Sequence, residues 1–288
     1  MALVDPGEQL DIQPGISAVV FAPPGQAELD AAILDLAAVL DGLVVGNFEI
    51  VLVEVASSRR VTDTLAELRV RFPHLPLRLF EGHFADQASA LSTAFGSAAY
   101  DLIFVTSADG QYDVRELNHL LEAIEHGADL AIGYRPKRVD SISQRLDGWG
   151  WNVLINLMFG PTARDVNCAF KLFRQNVWQR VGMRSRGTTT FYTELLVRAR
   201  RLGFHVIEVP VKHHRSTDDA RSHVASPATI WRALADLNRV RNRVDGDYST
   251  RRSLLRRRCS TSHLGGRPRR GPSSSHSSGS VRRSTIST

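Results

Sequence analysis

The feature that most constrains the fold of this chain is a regular alternation of short apolar segments with amphipathic ones between residues 16 and 133. Short apolar segments rich in β-branched residues are typical of buried strands, and apolar residues at helical spacing are typical of helices. This alternation predicts an α/β fold with a doubly wound, mostly parallel sheet and right-handed crossovers. The predicted strands are 16–22, 48–55, 77–80, 102–105 and 130–133, and the predicted helices are 28–43, 62–72, 85–99 and 114–126.

The second half of the chain is less regular. Pro210 lies in its last strand pattern and indicates an edge strand or a bulge, because proline cannot donate a ladder hydrogen bond. Arg198, Arg200 and Arg201 are expected on the outer face of their helix. The predicted elements are an Arg-rich loop at 134–148, an apolar helix at 149–159, a loop into a strand at 165–174, a helix at 191–202, a strand at 204–211 and an amphipathic helix at 227–241.

The basic character of the chain is confined to its C-terminal end. The net charge is +6, but ten arginines and one acidic residue fall in residues 247–288, which leaves 26 basic and 29 acidic residues, a net charge of −3, in residues 1–246. A mildly acidic body argues against nucleic acid as a partner. We predict a loose leader at 1–15, a folded domain at 16–245 and a disordered Arg/Ser-rich tail at 246–288. We expect the tail to have no role, with anionic lipid or nonspecific nucleic-acid binding as alternatives.

Cysteine usage and hydropathy point to the cytoplasm. The two cysteines, Cys168 and Cys259, are too few for a disulfide framework. Cys168 is expected to be a small buried residue rather than a reactive thiol. The N-terminus has no signal-peptide pattern, and no apolar run is long enough to span a membrane. We therefore expect a cytoplasmic protein.

Residues 102–113, LIFVTSADGQYD, place an acidic loop directly after a predicted buried strand. Ligands of an open α/β sheet bind at the carboxyl ends of its strands. Asp109, Gln111 and Asp113 would offer the oxygen ligands that a hard divalent cation requires. The alternative is a plain turn, in which Asp and Gly only supply turn geometry. From this segment alone the two interpretations stand level.

Four motifs follow one another along the chain: SADGQYD at 107–113, GYR at 133–135, DVNCAFKLFR at 165–174 and TELLVRARRLGFHVIEVPV at 193–211. Taken together, they resemble the family 2 glycosyltransferases with a GT-A fold. Within that family the chain is most similar to the polyprenyl-phosphate sugar transferases, of the dolichyl-phosphate mannosyltransferase type. The resemblance implies a nucleotide-diphospho-sugar donor, Mg²⁺ or Mn²⁺ as cofactor, and transfer of a hexosyl-like sugar, with inversion, to a polyprenyl-phosphate-like lipid. It also implies peripheral contact with the inner face of the membrane.

On the donor side, the resemblance assigns the metal to Asp109 and Gln111. It assigns the donor pocket to Ala22, Glu54, Ser57 and Asp109, with Asp109 counted among the catalytic residues. The cation would offset the charge on the diphosphate leaving group.

On the acceptor side, the resemblance assigns the lipid phosphate to Arg135 and Arg145, since Arg pairs well with phosphate oxygens. The alternative is a solvated loop surface. Glu194 is implied as a second catalytic residue that orients the acceptor or handles a proton, with a helix N-terminal charge as the alternative. The apolar helix at 149–159 would rest against a membrane or prenyl chain, although a plain core helix is the preferred interpretation.

The donor-side motifs depart from the family pattern. Residues 21–25, Phe-Ala-Pro-Pro-Gly, stand in place of a Pro-Ala-Tyr-Asn-Glu-like segment. Val55 replaces an acid, and Ser107 replaces the first Asp of Asp-x-Asp. The segment at 84–88 lacks the usual Asn and Gly-Lys-Gly-like turn. Either the donor is unusual, or the chain is a catalytically degenerate homologue that binds a lipid phosphate or a partner protein.

Overall fold

The structure is a computed structural model, and it describes residues 13–22, 29–43, 47–53, 59–80, 84, 86–136, 142–183, 188–214, 231–232 and 234–248. The chain divides into two units, Met1–Asp245 and Gly246–Thr288. The elements below belong to the first unit. The predicted leader up to residue 12 and nearly all of the predicted tail lie outside the described residues.

The observed elements follow the predicted order closely. The strands are β1 Gln13–Phe21, β2 Phe48–Val53, β3 Leu77–Phe80, β4 Tyr100–Ser107, β5 Leu130–Tyr134, β6 Lys171–Arg174 and β7 Val206–Pro210. The helices are α1 Leu29–Gly42, α2 Arg59–Arg71, α3 Gln87–Gly96, α4 Leu117–Glu125 after a 3-10 turn at Val114–Glu116, α5 Ile142–Phe159, α6 Gln175–Val181 and α7 Thr188–Arg201. A further helix, α8, covers residues 234–248, of which 234–245 belong to the first unit. Among the helices that the structure describes, none is long and apolar enough to cross a membrane.

The strands that the structure describes form one sheet in the order β3-β2-β1-β4-β6-β5-β7. All pairs are parallel except those of β6, which runs antiparallel between β4 and β5. The predicted doubly wound, mostly parallel α/β fold is confirmed. The direction of β6 was not predicted, because an apolar strand pattern has no direction. β7 forms the edge, as Pro210 indicated, where a missing N–H breaks no ladder.

Both faces of the sheet are covered, which explains why its strands are apolar on both sides. In β1, Ala18 and Val20 pack into the layer with α1, α2 and α4, whereas Val19 packs into the layer with α3, α6 and α7. The same alternation in β4 places Phe104 in the first layer and Val105 in the second. The central strands are therefore rigid supports for whatever follows their carboxyl ends.

Three predictions were wrong in detail. β1 begins at Gln13, inside the predicted leader. The predicted loop at 134–148 becomes α5 from Ile142 onward, and the polar residues and glycines of this segment, which have low helix propensity, concealed that helix. Arg198, expected on the outer face of α7, is buried, because it pairs with Glu194 one helical turn earlier.

Candidate active site

The acidic loop, residues 107–113, follows β4 at the carboxyl edge of the sheet. Its backbone turns at Gly110, whose φ of +69° is one that L side chains rarely adopt. The turn brings the Gln111 N–H to Asp109 Oδ1, with an N–O distance of 3.2 Å. Asp113 instead accepts a hydrogen bond from the Arg115 N–H at 3.1 Å and so caps the 3-10 turn. Asp109 is therefore the loop carboxylate best placed for a ligand.

The surroundings of Asp109 suit a bound cation. Burial raises the pKa of the Asp109 carboxyl, whereas hydrogen bonds from the Gln111 N–H and the Ser107 hydroxyl, and the nearby His213, act to lower it. A carboxyl whose pKa is raised by burial gains from a cation beside it, because the cation favours the ionised form. Ser107, which replaces an expected carboxylate, thus supports Asp109 through a hydrogen bond.

The closing segment, residues 211–214, lies across the acidic loop. The His214 N–H donates to the Gln111 carbonyl oxygen at 2.8 Å, and His213 forms an antiparallel bridge with Tyr112. The two rings of that bridge meet edge to face, with centroids 5.8 Å apart. This contact brings the buried His213 near Asp109. Sequence reasoning missed His213, although the Lys-His-His run just after the last strand was a visible signal.

The donor set at this site fits a divalent cation. Asp109 offers carboxylate oxygens, Gln111 an amide oxygen and His213 an imidazole nitrogen, all ligands that such ions accept. Across the part of the chain that the structure describes, three or more His, Cys, Asp or Glu side chains are nowhere gathered as a complete metal cage. An ion held here would therefore take its remaining ligands from water or from the oxygens of a bound diphosphate.

A polar cluster, made up of Tyr112, Arg135, Asp165 and Lys171, adjoins the acidic loop. The Tyr112 hydroxyl accepts from the Ala169 N–H at 3.3 Å, and its ring stacks on Phe170 with centroids 5.5 Å apart. Arg135, directly after β5, forms two hydrogen bonds with Asp165, from Nε at 2.6 Å and from Nη2 at 3.0 Å. Burial acts to lower the pKa of Arg135, but the hydrogen bonds with Asp165 and the electrostatic interactions with Tyr112, Asp165 and Cys168 together raise it. Arg135, which was predicted to bind the acceptor phosphate, is thus paired with Asp165 within the protein.

Lys171 is the innermost charged residue of this cluster. Its Nζ donates to the Val166 carbonyl oxygen at 3.1 Å and to the Cys168 carbonyl oxygen, and it lies 4.3 Å from the centre of the Tyr192 ring. Burial lowers the pKa of Lys171 to about 8. A neutral amine still has two N–H groups, enough for both carbonyl oxygens. Cys168 is buried and burial raises the pKa of its thiol, as expected for a small core residue.

Glu194 is fully buried in α7. Its Oε1 accepts from Arg198 Nε at 2.6 Å, and within the described residues its Oε2 has no hydrogen-bond partner. The structure thus gives Glu194 an internal ion pair, and its assignment as a catalytic residue stays a prediction.

The other predicted site residues are placed only in part. Ala22 is buried at the end of β1, where its N–H donates to the Val53 carbonyl oxygen at 3.1 Å. Glu54 and Ser57, assigned to the donor pocket, lie outside the described residues. Arg145, assigned to the acceptor phosphate, lies in α5, and its side chain is outside the described part. The roles predicted for these four residues stay predictions.

A cavity of about 380 Å³ separates α1 from the acidic loop, a volume within the range of small-molecule sites. The hydroxyl of Thr106, which lines it, is buried and has no hydrogen-bond partner among the described residues. The cavity widens the opening at the carboxyl ends of β1 and β4. Its lining includes Val20, Ala32, Leu36, Thr106, Ser107 and His214.

The fold and the loop together define the class of the GT-A glycosyltransferases. Glucosyl-3-phosphoglycerate synthase from Mycobacterium tuberculosis, solved in complex with Mn²⁺, UDP-glucose and glycerol 3-phosphate, matches this structure with a TM-score of 0.57. The match covers 80% of each chain at 15% sequence identity, so the likeness concerns the fold alone. The predicted GT-A fold is confirmed.

The chain belongs to glycosyl transferase family 2, which it matches over residues 29–182, more than half of its length. It is 33% identical to the glycosyltransferase AglD of Haloferax volcanii over 159 residues, 52% of this chain and 24% of that protein. It is 29% identical over 167 residues to the undecaprenyl-phosphate 4-deoxy-4-formamido-L-arabinose transferase of Edwardsiella ictaluri, 58% of this chain and 50% of that protein. The chain thus spans half or less of these relatives. The resemblance to polyprenyl-phosphate sugar transferases is confirmed.

Proposed function

We propose that this protein transfers a sugar, with inversion, from a nucleotide-diphospho-sugar to a polyprenyl-phosphate-like lipid, with Mg²⁺ or Mn²⁺ as cofactor. The observation that supports this most is the acidic loop at the carboxyl edge of the sheet, where the closing segment pairs with residues 111–112 and brings His213 within electrostatic range of Asp109. In this proposal Asp109 and Gln111 hold the cation, and His213 joins them. A nitrogen ligand favours Mn²⁺ over Mg²⁺, because Mg²⁺ takes oxygen ligands.

Different residues are assigned to the sugar donor and to the lipid acceptor. When bound, the cation acts as a Lewis acid toward the diphosphate leaving group. Ala22, Glu54 and Ser57 line the pocket for the nucleotide. The acceptor phosphate is already anionic, so it requires placing by cations more than it requires a base.

On the acceptor side, Asp165 engages Nε and Nη2 of Arg135, and Nη1 makes no hydrogen bond within the described residues. We assign Nη1 and the Arg145 guanidinium to the acceptor phosphate, which would approach the anomeric carbon opposite the breaking bond. Glu194 orients the acceptor through its second carboxylate oxygen.

An exposed apolar stripe on α5 supports a lipid acceptor. Trp149, Val153 and Leu157 recur one helical turn apart and are 66%, 45% and 82% exposed, whereas Ile155 on another face is fully buried. The preferred interpretation of this helix as a plain core helix is therefore wrong for this stripe. Tryptophan favours the interface between membrane and water. We propose peripheral contact of this stripe with the inner, cytoplasmic face of a membrane.

Transfer is tested with radiolabelled UDP- and GDP-sugars, undecaprenyl phosphate and Mn²⁺, using the full chain. We expect metal-dependent formation of a sugar lipid that Asp109→Asn reduces on the order of 10²-fold, the usual effect of losing one group that stabilises developing charge. Asp63→Asn, which alters an exposed carboxyl on α2, is the matched control. Absence of both transfer and donor hydrolysis across the donor panel contradicts the proposal.

The membrane contact is tested by cosedimentation with vesicles that contain anionic lipid. Leu157→Ser should weaken binding, and Val70→Ser, which alters an isolated valine that is also 82% exposed, should not. Equal binding by the two variants contradicts the assignment of the stripe.

The second candidate is a catalytically degenerate homologue that binds a lipid phosphate or a partner protein. It is favoured by the loop itself, in which Ser107 replaces a carboxylate and Asp113 caps a 3-10 turn. Calorimetric titration with UDP- and GDP-sugars separates the two candidates. Micromolar binding that requires Mn²⁺ contradicts the degenerate homologue, whereas its absence favours it.

A further inference from the structure

We propose that Glu116 and Lys212 are positioning residues whose ion pair holds the closing segment on the acidic loop and so keeps His213 beside Asp109. Lys212 Nζ lies 3.0 Å from Glu116 Oε1. The role of this pair toward the metal rests on the proposed function; its role in holding the segment does not.

The closing segment needs a further contact to hold it on the acidic loop, because it leaves the sheet at an edge strand. β7 ends at Pro210, and the chain then departs from its neighbour β5 after one further bond, from the Val211 N–H to the Tyr134 carbonyl oxygen at 3.0 Å. Beyond it, the bond from the His214 N–H to Gln111 joins the segment to the loop. A chain that is paired on one side by so few bonds opens easily. A side-chain bond between these two points would oppose that opening.

Glu116 is the more restrained residue of the ion pair. It immediately precedes α4, yet its side chain caps no helix N–H, so the carboxylate is directed to other partners. Glu116 is buried, and a buried carboxylate is stable only when partnered. Its Oε2 lies 3.2 Å from His119 Nδ1, and its Oε1 faces Lys212. The rigid start of α4 therefore presents one oxygen toward the closing segment.

Lys212 is the more exposed residue of the ion pair. Its side chain is exposed, so it reaches Glu116 from outside without disturbing the core. Lys212 precedes His213 directly, so the position of its ammonium group restrains the backbone that places the imidazole. The pair thus joins the closing segment to the 3-10 turn that links the acidic loop to α4.

The test measures hydrogen exchange of the His214 amide in the full chain. Lys212→Met should speed exchange by about fivefold at most, as expected for a pair with one exposed partner. Lys212→Glu, which faces Glu116 with a like charge, should speed it by about tenfold or more. In a Glu116→Gln background Lys212→Glu should lose most of its effect. Arg71→Glu, the same reversal beside Glu67 on α2, is the control and should leave the His214 amide unchanged.

The second readout is the Kd for Mn²⁺, measured from the free Mn²⁺ signal in electron paramagnetic resonance. We expect Lys212→Glu to raise this Kd at least threefold, because less of the protein has His213 in place. Unchanged exchange in Lys212→Glu overturns the ion pair as a fastening, and faster exchange with an unchanged Kd overturns its role toward the metal. Wild-type protein that binds no Mn²⁺ contradicts the metal assignment of the proposed function, and the exchange rates then still decide whether the pair holds the segment.

Discussion

Substitution of one partner of the Arg135–Asp165 ion pair should lower the free energy of unfolding more than other substitutions in the polar cluster. The two side chains are 8% and 7% exposed and share two hydrogen bonds, so both charges are largely shielded from water. Asp165→Asn keeps the shape but leaves the guanidinium opposite a neutral amide. Removing one partner of a buried pair costs about 3–5 kcal/mol. Each kcal/mol lowers the Tm of a domain of this size by roughly 2–4 °C, so the expected fall is roughly 6–20 °C.

The assay is urea unfolding of the full chain followed by tryptophan fluorescence and circular dichroism. The variants are Asp165→Asn, Asp165→Leu, Arg135→Met and the double variant Arg135→Met/Asp165→Leu. We expect the double variant to be more stable than either single one, because it removes both charges and buries no unpaired group. Glu67→Gln, which breaks the exposed pair with Arg71 on α2, is the matched control and should change the free energy of unfolding by about 0.5 kcal/mol or less.

Two results would refute this reasoning. A loss below about 1 kcal/mol in Asp165→Asn would mean that water reaches the pair and that its charges are not buried. Strict additivity in the double variant would mean that the two side chains do not interact. Either result would also weaken the proposal that Asp165 engages Nε and Nη2 of Arg135 and leaves Nη1 for the acceptor phosphate.

Three further predictions concern stability. Because burial lowers the folded-state pKa of Lys171 to about 8, below its unfolded value of about 10.5, the unfolded state binds more protons between these pH values. The free energy of unfolding of the wild type relative to Lys171→Met should therefore rise with pH across this window, by roughly 3 kcal/mol in full; a flat difference in urea titrations contradicts it. Gly133→Ala should cost about 1–3 kcal/mol, because its Cβ would lie 3.0 Å from the Phe170 carbonyl oxygen. Gly150→Ala, with open space at that Cβ in α5, should instead stabilise by about 0.5–1 kcal/mol, and thermal unfolding of both variants gives the comparison. Asp86→Ala should cost about 0.5–2 kcal/mol by removing the N-cap of α3, measured in the same way, and a Tm equal to that of the wild type would show that the cap is dispensable.

The parts of the fold that could be predicted are those whose signal is local. The strands of the first half and the acidic loop were found because apolar runs, helical spacing and the Asp-Gly turn are all visible within a few residues. Their order along the chain then implied that the loop lies at the carboxyl edge, since parallel strands place these ends together. Boundaries shifted by a few residues, as at β4, because strand ends depend on pairing with neighbours.

The parts that could not be predicted depend on contacts between distant segments. The antiparallel insertion of β6 between β4 and β5 is a matter of pairing, which no pattern within residues 171–174 encodes. His213 approaches Asp109 only because residues about a hundred positions apart form a bridge, at Tyr112 and His213. Arg198 was assigned to the surface from its charge, whereas its partner Glu194 explains its burial.

The departures from the family pattern that the sequence predicts coincide with identifiable local contacts in the structure. Asp86 stands where a glycine-containing turn is usual, and it forms a capping box with Ser89, from whose N–H it accepts at 2.8 Å. Ser107 gives up a negative charge but donates to Asp109. Because the loop then offers one carboxylate where two are usual, a cation would be held more weakly by the protein and would depend more on His213 and on the diphosphate. The substitutions therefore favour a site in which metal and donor bind together, and in which the placement of His213 matters more than in a site with two carboxylates.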